Sequence, residues 1–266
     1  ESVFLPALGE VWVSQMHNST IHSFDAASLA WKASFPSGGS YPKVLCPSVD
    51  GSLVFVSNWV SEDICVLEAA SHRLLRRIRT GSIPRGLAAS PDGKDLYIAL
   101  FGDGAILDLD LATWRLSTFW KADGGAKRHL LIDPARGRLY ATDMARDSLF
   151  AFDLASKRLL AEVPVGSNPN TCAASPGAGL IYVCTRGPNG DQGYELPGPV
   201  AGELVAVDAQ SLRVVARQWG GNQPTGLDVA AVGGKIVMSD FLDARVEVFA
   251  FQAPARRSPT YLRKGL

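Results

Sequence analysis

The sequence lacks the patterns that mark several function classes. Its four cysteines, Cys46, Cys65, Cys172 and Cys184, make no CxxC, no CxxCH and no Cys/His cluster of metal-ligand spacing. A structural zinc site and covalently held haem therefore lose their usual support, and no metal or other cofactor is expected. An excess of one charge is also missing, since 26 Lys and Arg balance 26 Asp and Glu. No global field draws the chain to nucleic acid or to an anionic membrane, so nucleic acid is not an expected partner. No apolar run reaches the roughly 20 residues of a membrane helix, and Glu1 opens without a charged and then apolar leader. There is no GxSxG elbow, no HExxH pair and no Walker loop. Nor is there a long segment of 3.6-residue period, which excludes a helical solenoid.

What the sequence does contain is a repeat of about 42 residues. Its clearest copy runs from Pro84 to Ala99, where apolar stretches flank Pro91-Asp92-Gly93. That reads as strand, tight turn, strand, with Gly93 supplying a positive φ. The first apolar residue after the turn is Val11, Val54, Leu96, Leu139, Ile181 and Ile236 in successive copies. The next position holds Trp12, Phe55, Tyr97, Tyr140, Tyr182 and Val237, aromatic in all but the last. A large flat side chain there suits packing between stacked sheets.

A second marker keeps step with the first. Asp25, Glu68, Asp110, Asp153 and Asp208 each precede a hydroxyl three residues on, at Ser28, Ser71, Thr113, Ser156 and Ser211, and only Ala250 breaks the series. A carboxylate that caps backbone N–H groups and a hydroxyl that closes the loop describe a turn between third and fourth strands, so these acids are structural. Four short antiparallel strands per unit, repeated six times, predict an all-β fold: a six-bladed β-propeller, with seven blades the lesser alternative. The units fall at approximately 1–42, 43–84, 85–127, 128–169, 170–224 and 225–266, forming one domain.

The run from Pro84 to Ala99, with Pro169 to Pro176 and Asp153-Leu-Ala-Ser156, resembles the YVTN-repeat propellers, which include surface-layer and YncE-like proteins, and the similar lactonase-like propellers. The resemblance covers nearly the whole chain and implies the fold. It also implies a periplasmic, cell-surface or secreted location. It carries little about function, because the shared markers are structural.

In a four-stranded meander, the start of the first strand and the end of the second share one face. The residues that open the units there are Lys43, Arg85, Arg128, Asn170 and Thr225, placing three cations side by side at the channel mouth. They could hold a carboxylate, a phosphate or an acidic loop of a partner, with His129 as a further donor or acceptor. Equally, each cation could be neutralised by an acid of the same face, such as Asp143 or Asp240. Trp59 and Phe101 follow second strands and could anchor a ligand or simply pack between blades. An insertion from Arg186 to Gly202, rich in Gly and Pro and carrying Tyr194, lies on this face as a binding loop or a plain elaboration.

Two functions follow. The first is a monomeric, non-catalytic scaffold that binds a small anion or a protein through Lys43, Arg85, Arg128, His129, Asn170, Trp59, Phe101, Arg186 and Tyr194. The alternative is a hydrolase or lyase acting on a lactone, with His129 as general base and Arg85 and Arg128 stabilising the oxyanion. Cys172 and Cys184 could meet across one hairpin as a disulfide, although buried free thiols fit better. Basic residues Arg256, Arg257, Arg263 and Lys264 are expected on the outermost strand of the last blade, where charge blunts an edge.

Overall fold

A computed structural model describes residues 1–175, 179–230 and 234–250. Each unit forms an antiparallel meander in which consecutive strands pair in order. Five sheets have four strands, and the sixth has three described strands, Pro224–Val229, Lys235–Asp240 and Arg245–Ala250. The chain is thus a six-bladed β-propeller of antiparallel blades. The expected outermost strand of the last blade, with its four basic residues, lies outside the described residues.

The period of two along each strand decides how blades stack. In the strand Arg138–Asp143, Leu139 and Ala141 point to one face and Tyr140 and Thr142 to the other, and all four are buried. The residue at the first marker position packs against the preceding blade, and the aromatic beside it packs against the following one. Trp12 therefore shares a cluster with Val54 and Val56, and Phe55 with Leu96 and Ile98. Tyr97 meets Leu139, Tyr140 meets Ile181, and Tyr182 meets Ile236. Each fully buried aromatic of this kind contributes about 1.5–3 kcal/mol relative to an exposed one.

The acidic turns form as the spacing predicts. Asp25, Asp153 and Asp208 accept the backbone N–H of the hydroxyl residue three positions on at 2.7–2.8 Å, and Asp110 accepts that of Thr113. The residue after each hydroxyl (Leu29, His72, Trp114, Lys157 or Leu212) closes the turn in the left-handed region, with φ between 55° and 61°. The four cysteines are free and buried. Cys172 stands opposite Val183 rather than Cys184, so the hairpin register keeps the two thiols apart.

Two features tie blades together at the channel. Ser57 accepts the N–H of Val44 in its own blade and donates to the carbonyl of Arg85 in the next, at 3.0 and 2.8 Å. Thr142 does the same between His129 and Asn170, and Ser14 donates to the carbonyl of Lys43. In the third blade the equivalent residue is Ala99, which has no hydroxyl. There Gly86 permits closer contact instead: a Cβ on it would sit 2.8 Å from the Cα of His129.

Candidate functional site

The unit-opening residues owe their direction to a recurring irregularity. In the second to sixth blades the innermost strand begins with a closing pair, Pro42 with Asn58, Pro84 with Leu100, Lys127 with Asp143, Pro169 with Thr185 and Pro224 with Asp240. The register then slips before the ladder resumes. Lys43, Arg85, Arg128, Asn170 and Thr225 occupy that slip. A bulge re-aims the side chain it carries, and here the same bulge turns five side chains to one end of the propeller.

These side chains converge. The charges of Arg85, Arg128 and Arg186 all act on Lys43, and Arg85 and Arg186 both act on Arg128. Residues from the second, third, fourth and fifth blades can sense one another in this way only around a common centre. Burial, helped by those neighbouring cations, pushes Lys43 down to about 8. Burial and the same repulsion push Arg128 well below its ordinary range, and burial lowers Arg186.

One unit opener has an acid. Arg85 Nη2 lies 2.5 Å from a Glu1 carboxylate oxygen. Burial would raise the Glu1 carboxyl, but Arg85, the amino terminus and His129 outweigh it and hold it at about 2. The acids expected to neutralise the other openers are engaged elsewhere: Asp143 binds Lys127 at 2.5 Å, and Asp240 binds Arg245 at 3.0 Å. Among the described residues Lys43, Arg128 and Arg186 form no ion pair with a carboxylate, although the Glu1 charge acts favourably on Lys43 and Arg128 from farther off. Lys43 instead lies over the rings of Tyr41 and Trp59, 4.7 and 5.3 Å from their centroids, and against Met16. Arg128 Nε donates to Asn170 Oδ1, and Arg186 to Thr225 Oγ1 at 3.3 Å.

Several buried polar atoms in this region have no partner among the described residues. They are Nε of Arg85, Nε of Arg186, Nδ2 of Asn170 and Oε1 of Gln223. Three of the four are donors, which an anion would satisfy. His129 is half-buried, and burial pushes it down to about 4, so it is neutral. Its Nδ1 accepts the backbone N–H of Cys172 at 3.4 Å, which leaves the ring proton on Nε2.

The aromatic residues divide. Trp59 and Phe101 pack on each other with centroids 4.8 Å apart, as blade-to-blade packing requires, while Trp59 also borders Lys43. Tyr194 is exposed, with the Arg186 guanidinium 5.5 Å from its ring centre. The 186–202 loop is fastened at its roots: Asn168 donates to the carbonyl of Gly187 and Gly202 donates to that of Gly221. Glu1, Met16 and Tyr41 were not singled out from the sequence. Tyr41 lies two residues before the unit opener Lys43, a spacing that could have drawn attention to it.

Comparison with known proteins agrees with this architecture. No family model matches the chain. It is 36% identical over 257 residues to Antigen Lp49 of Leptospira interrogans serogroup Icterohaemorrhagiae serovar copenhageni, a match covering 94% of this chain and 56% of that protein. The chain therefore spans little more than half the length of this relative. Among solved structures it resembles Kuenenia stuttgartiensis hydrazine synthase, with a TM-score of 0.77, 19% identity, and 93% of this chain and 75% of that one covered. It also resembles a Bacteroides fragilis protein provisionally assigned as a 6-phosphogluconolactonase, with a TM-score of 0.74, 15% identity, and coverage of 94% and 79%. At such identities the shared property is the fold.

Proposed function

We propose that this chain is a non-catalytic binding scaffold that takes a small anionic ligand at the channel mouth. The observation that carries the reading is the set of converging cations, Lys43, Arg128 and Arg186, without carboxylate ion pairs, beside buried donors with nothing to bind. Like charges gathered in a partly desolvated site cost free energy that a bound carboxylate or phosphate would offset, and arginine forks bind such oxyanions in two-point geometry. Asn170 and the Nε2–H of neutral His129 would add uncharged donors. The strand and turn markers support placing the chain with the YVTN-repeat, YncE-like propellers, and the likeness to a protein named an antigen supports a cell-surface or secreted location. A monomer without a nucleic-acid partner fits the balanced charge.

The binding reading is favoured over lactone hydrolysis by the state of His129. A base held at about 4 takes up a proton poorly at neutral pH. The test is a thermal-shift screen at pH 7 with inorganic phosphate, citrate, succinate and a series of lactones, with product analysis of the lactone samples. Stabilisation by the anions, with the lactones left intact, is the expected result. No shift with any anion sinks the binding reading, and lactone turnover abolished by His129→Ala establishes the enzyme.

A further inference from the structure

Lysine is the exception among the charged unit openers. Arg85 and Arg128 keep their protons in a protein, whereas the Lys43 amine can lose one, and a neutral amine is a nucleophile. An anion site alone gives no reason for the difference, since arginine suits oxyanions better.

The surroundings of Lys43 also differ from those of the other lysines. Lys32, Lys94, Lys121, Lys127 and Lys157 each have a carboxylate oxygen within 3.4 Å, and Lys235 is exposed. Lys43 is half-buried, and its nitrogen lies against Met16 Sδ and over the rings of Tyr41 and Trp59. Each ring is backed by another, Tyr41 by His17 and Trp59 by Phe101, with centroids 5.5 and 4.8 Å apart. Tyr41 has a φ of 65°, in the left-handed region, as do Asn168 and Gln223 two residues before their own unit openers. The repeat thus asks for that conformation, which asparagine adopts far more readily than tyrosine. What tyrosine supplies there is a ring over the amine.

The charged groups that face Lys43 are Arg85, Arg128 and Arg186, which repel its proton, and the Glu1 carboxylate, which attracts it; the Glu1 amino group, Tyr41 and, behind that ring, His17 complete the titratable set. Burial and the arginines prevail and hold the amine at about 8. Just above neutral pH, then, much of Lys43 is free amine, while an exposed lysine stays protonated.

We propose that Lys43 captures a 2-oxo acid as a reversible imine, with the acid's carboxylate held by the arginines of the mouth. This rests on the anion site proposed above and names the chemical class of its ligand. A 2-oxo acid carries its ketone on the carbon next to the carboxylate, so one small molecule meets both the arginine forks and the amine. The Lys43 Nζ lone pair forms a bond to the ketone carbon, the resulting carbinolamine loses water, and a C=N bond replaces C=O. One water leaves, no electrons are exchanged, and added water reverses the step.

The test incubates the chain with pyruvate and cyanoborohydride at pH 8, which reduces an imine to a stable amine, and maps the label by peptide mass. The label is one pyruvic acid less one oxygen. Lys43 should be labelled at least about tenfold faster than Lys94, Lys121 or Lys235, and its rate should rise with pH through about 8. Citrate should slow this labelling, acetone should show no preference for Lys43, and Lys43→Arg should lose the selective label. Labelling of Lys43 no faster than of the exposed lysines, while calorimetry shows citrate bound, overturns the imine and leaves the anion site standing. Selective labelling that acetone reproduces overturns the 2-oxo acid as the ligand class. Failure of citrate either to bind or to compete removes the anion site, and this inference with it.

Discussion

Replacing Asp143 with alanine is a sharp test of how the fourth blade holds Arg128 in place. Asp143 and Lys127 form the pair that starts this blade's innermost strand, one residue before Arg128, and both side chains are essentially inaccessible, at 0% and 1%. The Lys127 ammonium lies 3.8 Å from the Phe150 ring centre and 4.5 Å from that of Trp120, so without Asp143 it has aromatic faces and the charge of Glu162 but no ion-pair partner. Breaking a buried ion pair from one side typically costs about 3–5 kcal/mol. For a protein of this size that corresponds to roughly 6–20 °C in melting temperature. Lys127→Met should cost less, because the Asp143 carboxylate keeps the backbone N–H groups of Ala126, Ala145 and Arg146 at 2.9–3.2 Å. The pH dependence has a definite sign. Burial is the largest influence on Lys127 and lowers it, with Asp143 opposing. Removing Asp143 lowers it further, so between the folded and unfolded values the unfolded chain binds more protons and stability rises with pH. Urea unfolding followed by tryptophan fluorescence, at pH 7 and near pH 9.5, measures both effects. A loss below about 1 kcal/mol at pH 7, or a variant no weaker than Lys127→Met, refutes the reasoning.

Two other outcomes follow from the mouth and the blade junctions. Because Lys43 is held at about 8, anion affinity should fall as pH rises through that value, and Lys43→Arg should flatten the profile; calorimetric titration with citrate from pH 6.5 to 9.5 reads this directly. The depressed value also means that, between about 8 and the ordinary lysine value, this group makes the ligand-free protein more stable as pH rises. Ser57→Ala removes a buried hydroxyl that serves Val44 and Arg85 together and should cost about 1–3 kcal/mol in urea unfolding. Ala99→Ser, which offers the missing hydroxyl at the junction to Arg128, should be milder and is read in the same assay.

The blades were legible in the sequence because their markers depend on local chemistry. Trp12, Phe55, Tyr97, Tyr140 and Tyr182 recur beside an apolar partner because each fills the same gap between sheets. The Asp-x-x-Ser turns need only a carboxylate and two nearby donors. The convergence of Lys43, Arg85 and Arg128 could be inferred from their shared place in the repeat. Which acid would answer each cation could not, because that depends on side-chain reach: Asp143 turns to Lys127 and Asp240 to Arg245, both outside the repeat's markers. Arg186 joined the cations from a loop whose path no spacing fixed. Glu1 reached Arg85 through contacts that only the assembled blades create. Val237 broke the aromatic series by a single residue, and its exposure became visible only beside the buried Tyr182.

The central claim is that the channel mouth binds an anion through its unneutralised cations. Isothermal titration of the chain with citrate at pH 7 and low salt measures it most directly, with Arg128→Gln and Arg186→Gln as site variants and Arg73→Gln, in the turn before an outer strand, as control. The account predicts saturable binding that weakens with added salt, at least about tenfold weaker binding in each site variant, and an unchanged control. Absence of binding by the wild type, or equal binding by all the variants, would contradict it.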